Sequence, residues 1–578
     1  MSRFCFVLAH LTCLAVSGLA ADSPTGERFS RRWISTHPGF NLQRDDQADQ
    51  LIELIHRGEK AGYNGVVFGT SQLQLLQVKQ PRSYYVNAER VRMAAEEAGV
   101  ELIPRVMGIN GYSNDLLSND PHLAPALPVR DCVMQIQNGQ ATVANAENLI
   151  PGGTFENFSL PNRPDGFGWL DVPGKVSFKD QEVRHSGKAS IRMEHFETAT
   201  EHGNCRLFKK LILKPWHQYH LTAWIKSEKI VRAPAIGVQV HGIVDQQRRI
   251  NLQKRSIDVQ ATQDWTEHHA VFNTLEYSEV WLYIGGWNPG GGKLWIDDVS
   301  LHEVAGINLL RREGCPIKVT SDDSSVTYEE GRDFVRWEYP KMGRDGRPGR
   351  YEIAHPQPPI VLTNSTRIRD NQKLNVSYYH TQMHMNSGVG VCLSHDDVFK
   401  YLTQHLQAVQ KLYRPKTYLM HQDEIRLAGW CELCSRPGTT TGQVLAQCTK
   451  RCTEIIRKLD PNAEIVVWND MFDPFHNAVD NYWLTRGTMK GSWEGVDKTV
   501  SIGNWNQGQR RPSLKFFAGR GHRQIIATYY DRGDNWKNVV NAWLAAAEGI
   551  PNVDGIMYTT WSNNYDDLEE FIQLVNPD

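Results

Sequence analysis

The stretch KTYLMHQDEIRLAGWCELC, residues 416–434, runs as a hydrophobic strand into two adjacent carboxylates, Asp423 and Glu424, and then into two cysteines. A strand buried on both faces reads as an unbroken apolar run, so charges belong at its end. Before it lies HDDVFKYLTQHLQAVQKLY, with the apolar spacing of an amphipathic helix and Ser394 placed as its cap. After it come GQVLAQCTKRCTEIIRKL, a second helix, and AEIVVWNDM, a second strand. Strand, helix and strand in alternation are the units of a parallel sheet.

The alternation extends in both directions. Residues 27–113 read as RRWISTHPGF (strand), QADQLIELIHRGEKAGY (helix), NGVVFGTS (strand), NAERVRMAAEEAGV (helix) and ELIPRVMG (strand). Further on, TVSIGNW, RQIIATYYD and DGIMYTTW are strands, with NWKNVVNAWLAAAEG a helix between the last two. KLNVSYYH, from 373, is extended; set outside the barrel, it leaves three strands before a long interruption and five after. Eight parallel strands predict an α/β fold, a (β/α)8 TIM barrel.

The interruption has a different texture. From ENLIPGGTFE at 147 to KLWIDDVSLHEV at 304, short alternating stretches replace helical periodicity, as expected of an antiparallel jelly-roll β-sandwich. The expected organisation is a signal peptide over 1–21, the first part of the barrel over 27–130, the sandwich over 147–304, a turn-rich connecting or lid segment over 305–370, and the rest of the barrel over 371–578. The N-terminus MSRFCFVLAHLTCLAVSGLAAD has a basic start, an apolar run and small residues for cleavage after Ala20 or Ala21. A secreted or periplasmic protein follows from that reading. No later segment has the apolar length of a membrane span. With 63 Lys+Arg against 65 Asp+Glu, net charge −2, nucleic acid is excluded as the main partner.

Barrel chemistry gathers at the C-terminal ends of the strands. Those ends carry Asp423-Glu424, Trp468-Asn469-Asp470, Asn504-Trp505, Tyr529-Tyr530-Asp531 and Trp561-Ser562-Asn563. Aromatic faces for sugar rings and polar forks for hydroxyls make a carbohydrate pocket, with an oligo- or polysaccharide as the expected partner. Cys431, Cys434, Cys448 and Cys452 are spaced for either a tetrahedral zinc site or two local disulfides. Asp297, Asp298 and Glu156 are oxygen ligands available to a structural Ca2+.

The ordered set HQDEIR, VVWNDM, GNW, ATYYD and GIMYTTW resembles the catalytic barrel of glycoside hydrolase family 20, the β-N-acetylhexosaminidases. The resemblance covers 27–113 and about 373–575. It implies Glu424 as acid/base and Asp423 orienting the substrate's acetamido group, with Tyr529 or Tyr530 on the acetamido oxygen. Trp468, Trp505 and Trp561 would form walls and Arg32 would hold sugar hydroxyls; beside the resemblance, the strand ends offer His421, Asp470, Asp531 and Asn563 as further candidate substrate-binding residues. The implied activity is an exported retaining glycosidase working by substrate assistance, with no catalytic cofactor. The chain departs from the family in carrying His421-Gln422 where Gly-Gly is usual, and Arg105 after LIP. The sandwich resembles cenC-like carbohydrate-binding modules through NLIPGGTFEN and LWIDDVSL; of its tryptophans, Trp224 and Trp295 are expected in the core. Two other functions fit the residues. One is a two-carboxylate glycosidase pairing Glu424 with Asp470 or Asp531; the other is a glycan-binding protein without catalysis.

Overall fold

The computed structural model describes residues 28–145, 147–385 and 388–576; the expected signal peptide lies outside them. Eight strands close a barrel in chain order: β1 (Arg31–Ser35), β2 (Gly65–Phe68), β3 (Glu101–Val106), β4 (Thr417–Met420), β5 (Glu464–Trp468), β6 (Ser501–Asn504), β7 (Gln524–Tyr529) and β8 (Val553–Thr559). Every neighbour pair is parallel, and β8 returns to β1 with Arg31 opposite Gly555. The lumen is packed: Trp33, Val67, Ile103, Leu419, Val466, Trp468, Ile525, Ala527 and Met557 fill it.

Around the barrel lie α1 (Asp45–Ala61), α2 (Arg82–Ala98), α3 (Asp396–Tyr413), α4 (Thr441–Leu459), α5 (Arg510–Gly519), α6 (Trp536–Ala547) and α7 (Leu568–Val575). The expected (β/α)8 TIM barrel is therefore corrected. Between β5 and β6 the described chain makes no α-helix, only the 3-10 turns Asp470–Phe472 and Ser492–Gly495 and the two-residue strand Leu484–Thr485. Pro474 and glycines at 487, 491 and 495 interrupt any helical stripe there. Three antiparallel sheets outside the barrel also hold sixteen strands, twice the barrel's number.

Those sheets are nested insertions. Leaving β3, the chain enters a six-stranded sheet whose central pair, Leu127–Gln137 and Lys373–His380, sets the outgoing strand antiparallel to the returning one. The 305–370 stretch, read as a connecting or lid segment, supplies three of its strands: Lys318–Ser321, Thr327–Tyr328 and Ile360–Val361. KLNVSYYH lies in this sheet, outside the barrel. Within the insertion sits a sandwich of two five-stranded antiparallel sheets, its core formed by alternate residues such as Leu207, Leu221, Val240, Leu282 and Ile296. Trp295 is 4% exposed, but Trp224 is not core: it lies half-buried on the outer face, stacked on His185 at 3.8 Å. Leu427 and Leu484, from the loops after β4 and β5, join the sandwich core cluster. The insertion thus docks at the mouth of the barrel.

Candidate active site at the barrel mouth

The strand β4 ends at Met420, and the chain turns before its carboxylates are used. Glu424 has φ +52°, a left-handed conformation that costs a non-glycine residue about 1–3 kcal/mol. Three contacts hold it there. Asp470 Oδ2 accepts the Glu424 N–H at 2.9 Å and the Asn477 amide at 2.8 Å. Gly111 N–H donates to the Asp423 carbonyl at 3.1 Å. A Cβ on Gly111 would meet the Glu424 carbonyl oxygen at 2.4 Å, so this close approach requires glycine. The turn breaks strand alternation, which otherwise sends neighbouring side chains to opposite faces.

The two carboxylates sit in contrasting surroundings. Glu424 Oε1 is 2.7 Å from Arg426 Nη2. Arg426 also donates to Tyr112 Oη at 2.9 Å and lies over the Tyr112 and Trp483 rings. Burial alone would lower Arg426, but Glu424 and Tyr112 outweigh it and raise its pKa. Asp423 has no such cation at contact distance. Burial, then Asp470 and Glu424, push its carboxyl well above the usual range, against a weaker pull from Arg105. His421 Nε2 lies 3.1 Å from Asp423 Oδ1, while its Nδ1 faces the Asn110 amide at 2.9 Å. Burial, Arg105 and His37 hold His421 down at about 3, so it is neutral at working pH. Asp470, fully buried, is lifted to about 7 by burial, with Glu424's charge adding and the Glu424 N–H and Asn477 opposing. A carboxyl held toward its neutral form beside one paired to an arginine is a usual origin of separate acid and base roles.

Arg105 closes the other side. Its Nη2 donates to Ser35 Oγ at 2.8 Å and Thr36 O at 3.0 Å. With His37, Asn110, Tyr112 and His421 it borders a cavity of roughly 310 Å³ at the ends of the first four strands. Trp505 lies half-buried against His476, at 4.4 Å between rings. Tyr530 is desolvated and raised, its charged form opposed further by Asp470 and Asp423. Trp561, 51% exposed, stands at the rim near His37 and Tyr530.

Other expected residues lie elsewhere. Arg32 is at the start of β1, bonded to the Gly62 and Phe29 carbonyls, and so sits on the floor opposite the mouth; Arg105 occupies the cationic position instead. Tyr529 turns away from the lumen, stacking on Tyr558 at 4.1 Å and donating to Asp567 at 2.8 Å. Trp468 is lumen packing at 8% exposure. Asp531 accepts from Thr560 Oγ1 and the Trp561 N–H, and Asn563 bonds His37 O, Gly39 O and Tyr565; both shape the β8 loop. Cys431 and Cys434 approach Cys392, while Cys448 and Cys452 lie one turn apart on α4. Asp297, Asp298 and Glu156 spend their oxygens on the loop 185–188, accepting from His185, Ser186 and Lys188. The sequence reading missed Arg426, Tyr112, Asn110 and Gly111. Arg426 had a signal in its i+2 spacing from Glu424; the others come from the loop after β3, where no local pattern marks them.

The sandwich carries a second surface. On the outer face of one sheet, Trp169, Phe208, Trp281 and Tyr283 pack against one another, Trp169 stacked on Phe208 and the other pairs tilted or edge to face, with ring centroids 5.0–5.9 Å apart. Arg206 and Arg249 lie over Trp169 and Trp281.

Solved structures similar to part of this chain include a family 16 carbohydrate-binding module, at 20% identity over 27% of this chain and 99% of that one, TM-score 0.19. Another is the CBM22-1 xylan-binding domain of Paenibacillus barcinonensis Xyn10C, at 15% over 28% and 97%, TM-score 0.20. A third is TmCBM61 in complex with β-1,4-galactotriose, at 13% over 27% and 99%, TM-score 0.19. These neighbours are carbohydrate-binding modules with β-sandwich folds. No family model matches the chain, and no curated protein matches it.

Proposed function

We propose that this protein is a glycan-binding glycosidase of the two-carboxylate type, with Asp423 as proton donor and Glu424 as its charged partner. The observation that carries the reading is the asymmetry of the adjacent pair: Glu424 is ion-paired to Arg426 at 2.7 Å, whereas burial and like charge hold Asp423 toward its neutral form. A neutral Asp423 can protonate the leaving glycosidic oxygen. Glu424 then acts at the anomeric carbon, directly or by activating water. This reverses the roles that the family resemblance implies. The substrate-assisted alternative needs an ionised Asp423 beside the acetamido group; Arg32, assigned to its sugar hydroxyls, and Tyr529 point elsewhere, which leaves Tyr530 as its tyrosine. Asp470 is a positioning residue, pinning the Glu424 backbone. The aromatic row on the sandwich offers ring faces to a polysaccharide.

A panel of 4-nitrophenyl glycosides, matched in sugar and differing only at C2, tests this. Turnover is expected on 2-hydroxy sugars, with Asp423→Asn slowing poor leaving groups by about 10²–10⁴-fold and dinitrophenyl leaving groups much less. Turnover confined to 2-acetamido sugars restores substrate assistance. Tight glycan binding with no turnover of any member makes the barrel a binding protein.

A further inference from the structure

Behind the carboxylate loop, three buried thiols from two distant segments meet. Cys392 Sγ lies 3.7 Å from Cys431 Sγ and 3.8 Å from Cys434 Sγ, and all three sulfurs fall within 4.8 Å of one another. A zinc–thiolate bond is about 2.3 Å, so two sulfurs on a tetrahedral zinc stand about 3.8 Å apart. The observed separations match that edge. A disulfide would engage two of the three and leave one thiol over; a metal engages all three alike. We propose that Cys392, Cys431 and Cys434 bind one Zn2+ that clamps the loop carrying Asp423, Glu424 and Arg426.

The local structure suits the task. Cys434 N–H and Ser435 N–H both donate to the Cys431 carbonyl at 2.9 Å, closing a tight turn that presents both sulfurs of Cys-x2-Cys to one side. Cys392 comes from the segment leading into α3, so the ion ties that segment to the loop after β4. Arg312 reaches the cluster from the far end of the insertion, its guanidinium lying in the field of Cys392, Cys315 and Cys431; it also donates to Ala124 O at 3.1 Å. Three thiolates, one divalent cation and one guanidinium sum to zero charge. A neutral assembly is what an apolar interior tolerates, since an unpaired ion there costs several kcal/mol. The ligand set differs from the four-cysteine spacing in the sequence: Cys448 and Cys452, one turn apart on α4, stand outside the three-sulfur group, and Cys392 takes their place.

Elemental analysis of the full chain, purified under reductant, is expected to give about one zinc per chain. Cys392→Ser and Cys434→Ser should lose it, and Cys448→Ser should keep it. A ligand variant that misfolds would also lose metal, so wild-type protein stripped by a chelator and titrated with Co2+ gives an independent reading. The visible absorption of tetrahedral thiolate-bound Co2+ should saturate at about one equivalent and bleach on adding Zn2+. Metal-free protein that gives no such spectrum overturns the proposal, whether its thiols prove free or oxidised. So does zinc that survives Cys392→Ser and leaves with Cys448→Ser.

Discussion

Replacing Asp470 by Asn probes the electrostatics of the mouth directly. Asp470 is lifted from 3.8 to about 7, roughly three units, and at about 1.36 kcal/mol per unit the raised carboxyl withholds roughly 4 kcal/mol of stability above neutral pH. The sign follows from proton counting. Between about pH 4 and 7 the folded state holds a proton that the unfolded state has released, so stability falls as pH rises through that window and is level above it. Asn carries no such penalty and keeps an oxygen for the Glu424 N–H. Relieving one of three crowded carboxyls also lets Asp423 ionise more readily, which shrinks its own penalty and adds to the gain. The variant should therefore match wild type near pH 4 and exceed it by roughly 4 kcal/mol at pH 8, a rise of about 4–10 °C in the barrel's melting temperature. Differential scanning fluorimetry across pH 4–8 reads both curves at once. A constant difference between variant and wild type at all pH values would refute the reasoning, because it would mean that Asp470 does not titrate in this window.

Three further outcomes are expected. Gly111→Ala forces the Glu424 carbonyl to move, so kcat should fall on the order of 10²-fold while circular dichroism stays close to wild type. Asp333, buried and bridged to Arg367 at both oxygens and to the Glu329 and Arg367 N–H groups, is held well below the usual carboxylate range; Asp333→Asn should cost about 1.5–3 kcal/mol at pH 7, and the loss should shrink below about pH 4, where the unfolded wild-type chain protonates Asp333 while the folded one does not, measured by urea unfolding. Trp281→Ala should weaken polysaccharide binding on the order of 10-fold in affinity electrophoresis and leave hydrolysis of a small nitrophenyl glycoside unchanged.

The barrel strands were legible because a strand buried on both faces announces itself as an apolar run, and the pair at 423–424 was legible because charge at the end of such a run is anomalous. The missing helix after β5 was not, since regular alternation elsewhere invited the assumption that it continued. The hairpin over 127–143 did carry a local sign that went unused. Asn138 and Gly139, at φ +51° and +76°, form the two-residue turn that Asn-Gly favours between alternating strands. Tyr529 was misplaced for another reason: resemblance fixes which strand a residue is on, but a shift of one position reverses the face it presents; Arg32 was placed on the right strand but lies at its first end, away from the mouth. The cysteine partners were beyond local reading, because Cys392 lies some forty residues from Cys431 and only the closed fold brings them together.

The nesting of insertions has a consequence for how the chain is made. Strand β3 ends at Val106 and its neighbour β4 begins at Thr417, so roughly 310 residues must leave the ribosome before that edge is covered. At about 5–20 residues per second this takes roughly 15–60 s. Throughout that time β1, β2 and β3 present an unpaired, apolar parallel edge, the kind that templates association with other chains. The sandwich and the six-stranded sheet, each built from contacts within the insertion, can close meanwhile. Once the 127–137 and 373–380 strands pair, the two ends of the gap are brought side by side and β4 is delivered to β3 at short range. The insertion is thereby the assembly jig of the barrel it interrupts, and a lesion in that central pair should show first as aggregation during synthesis.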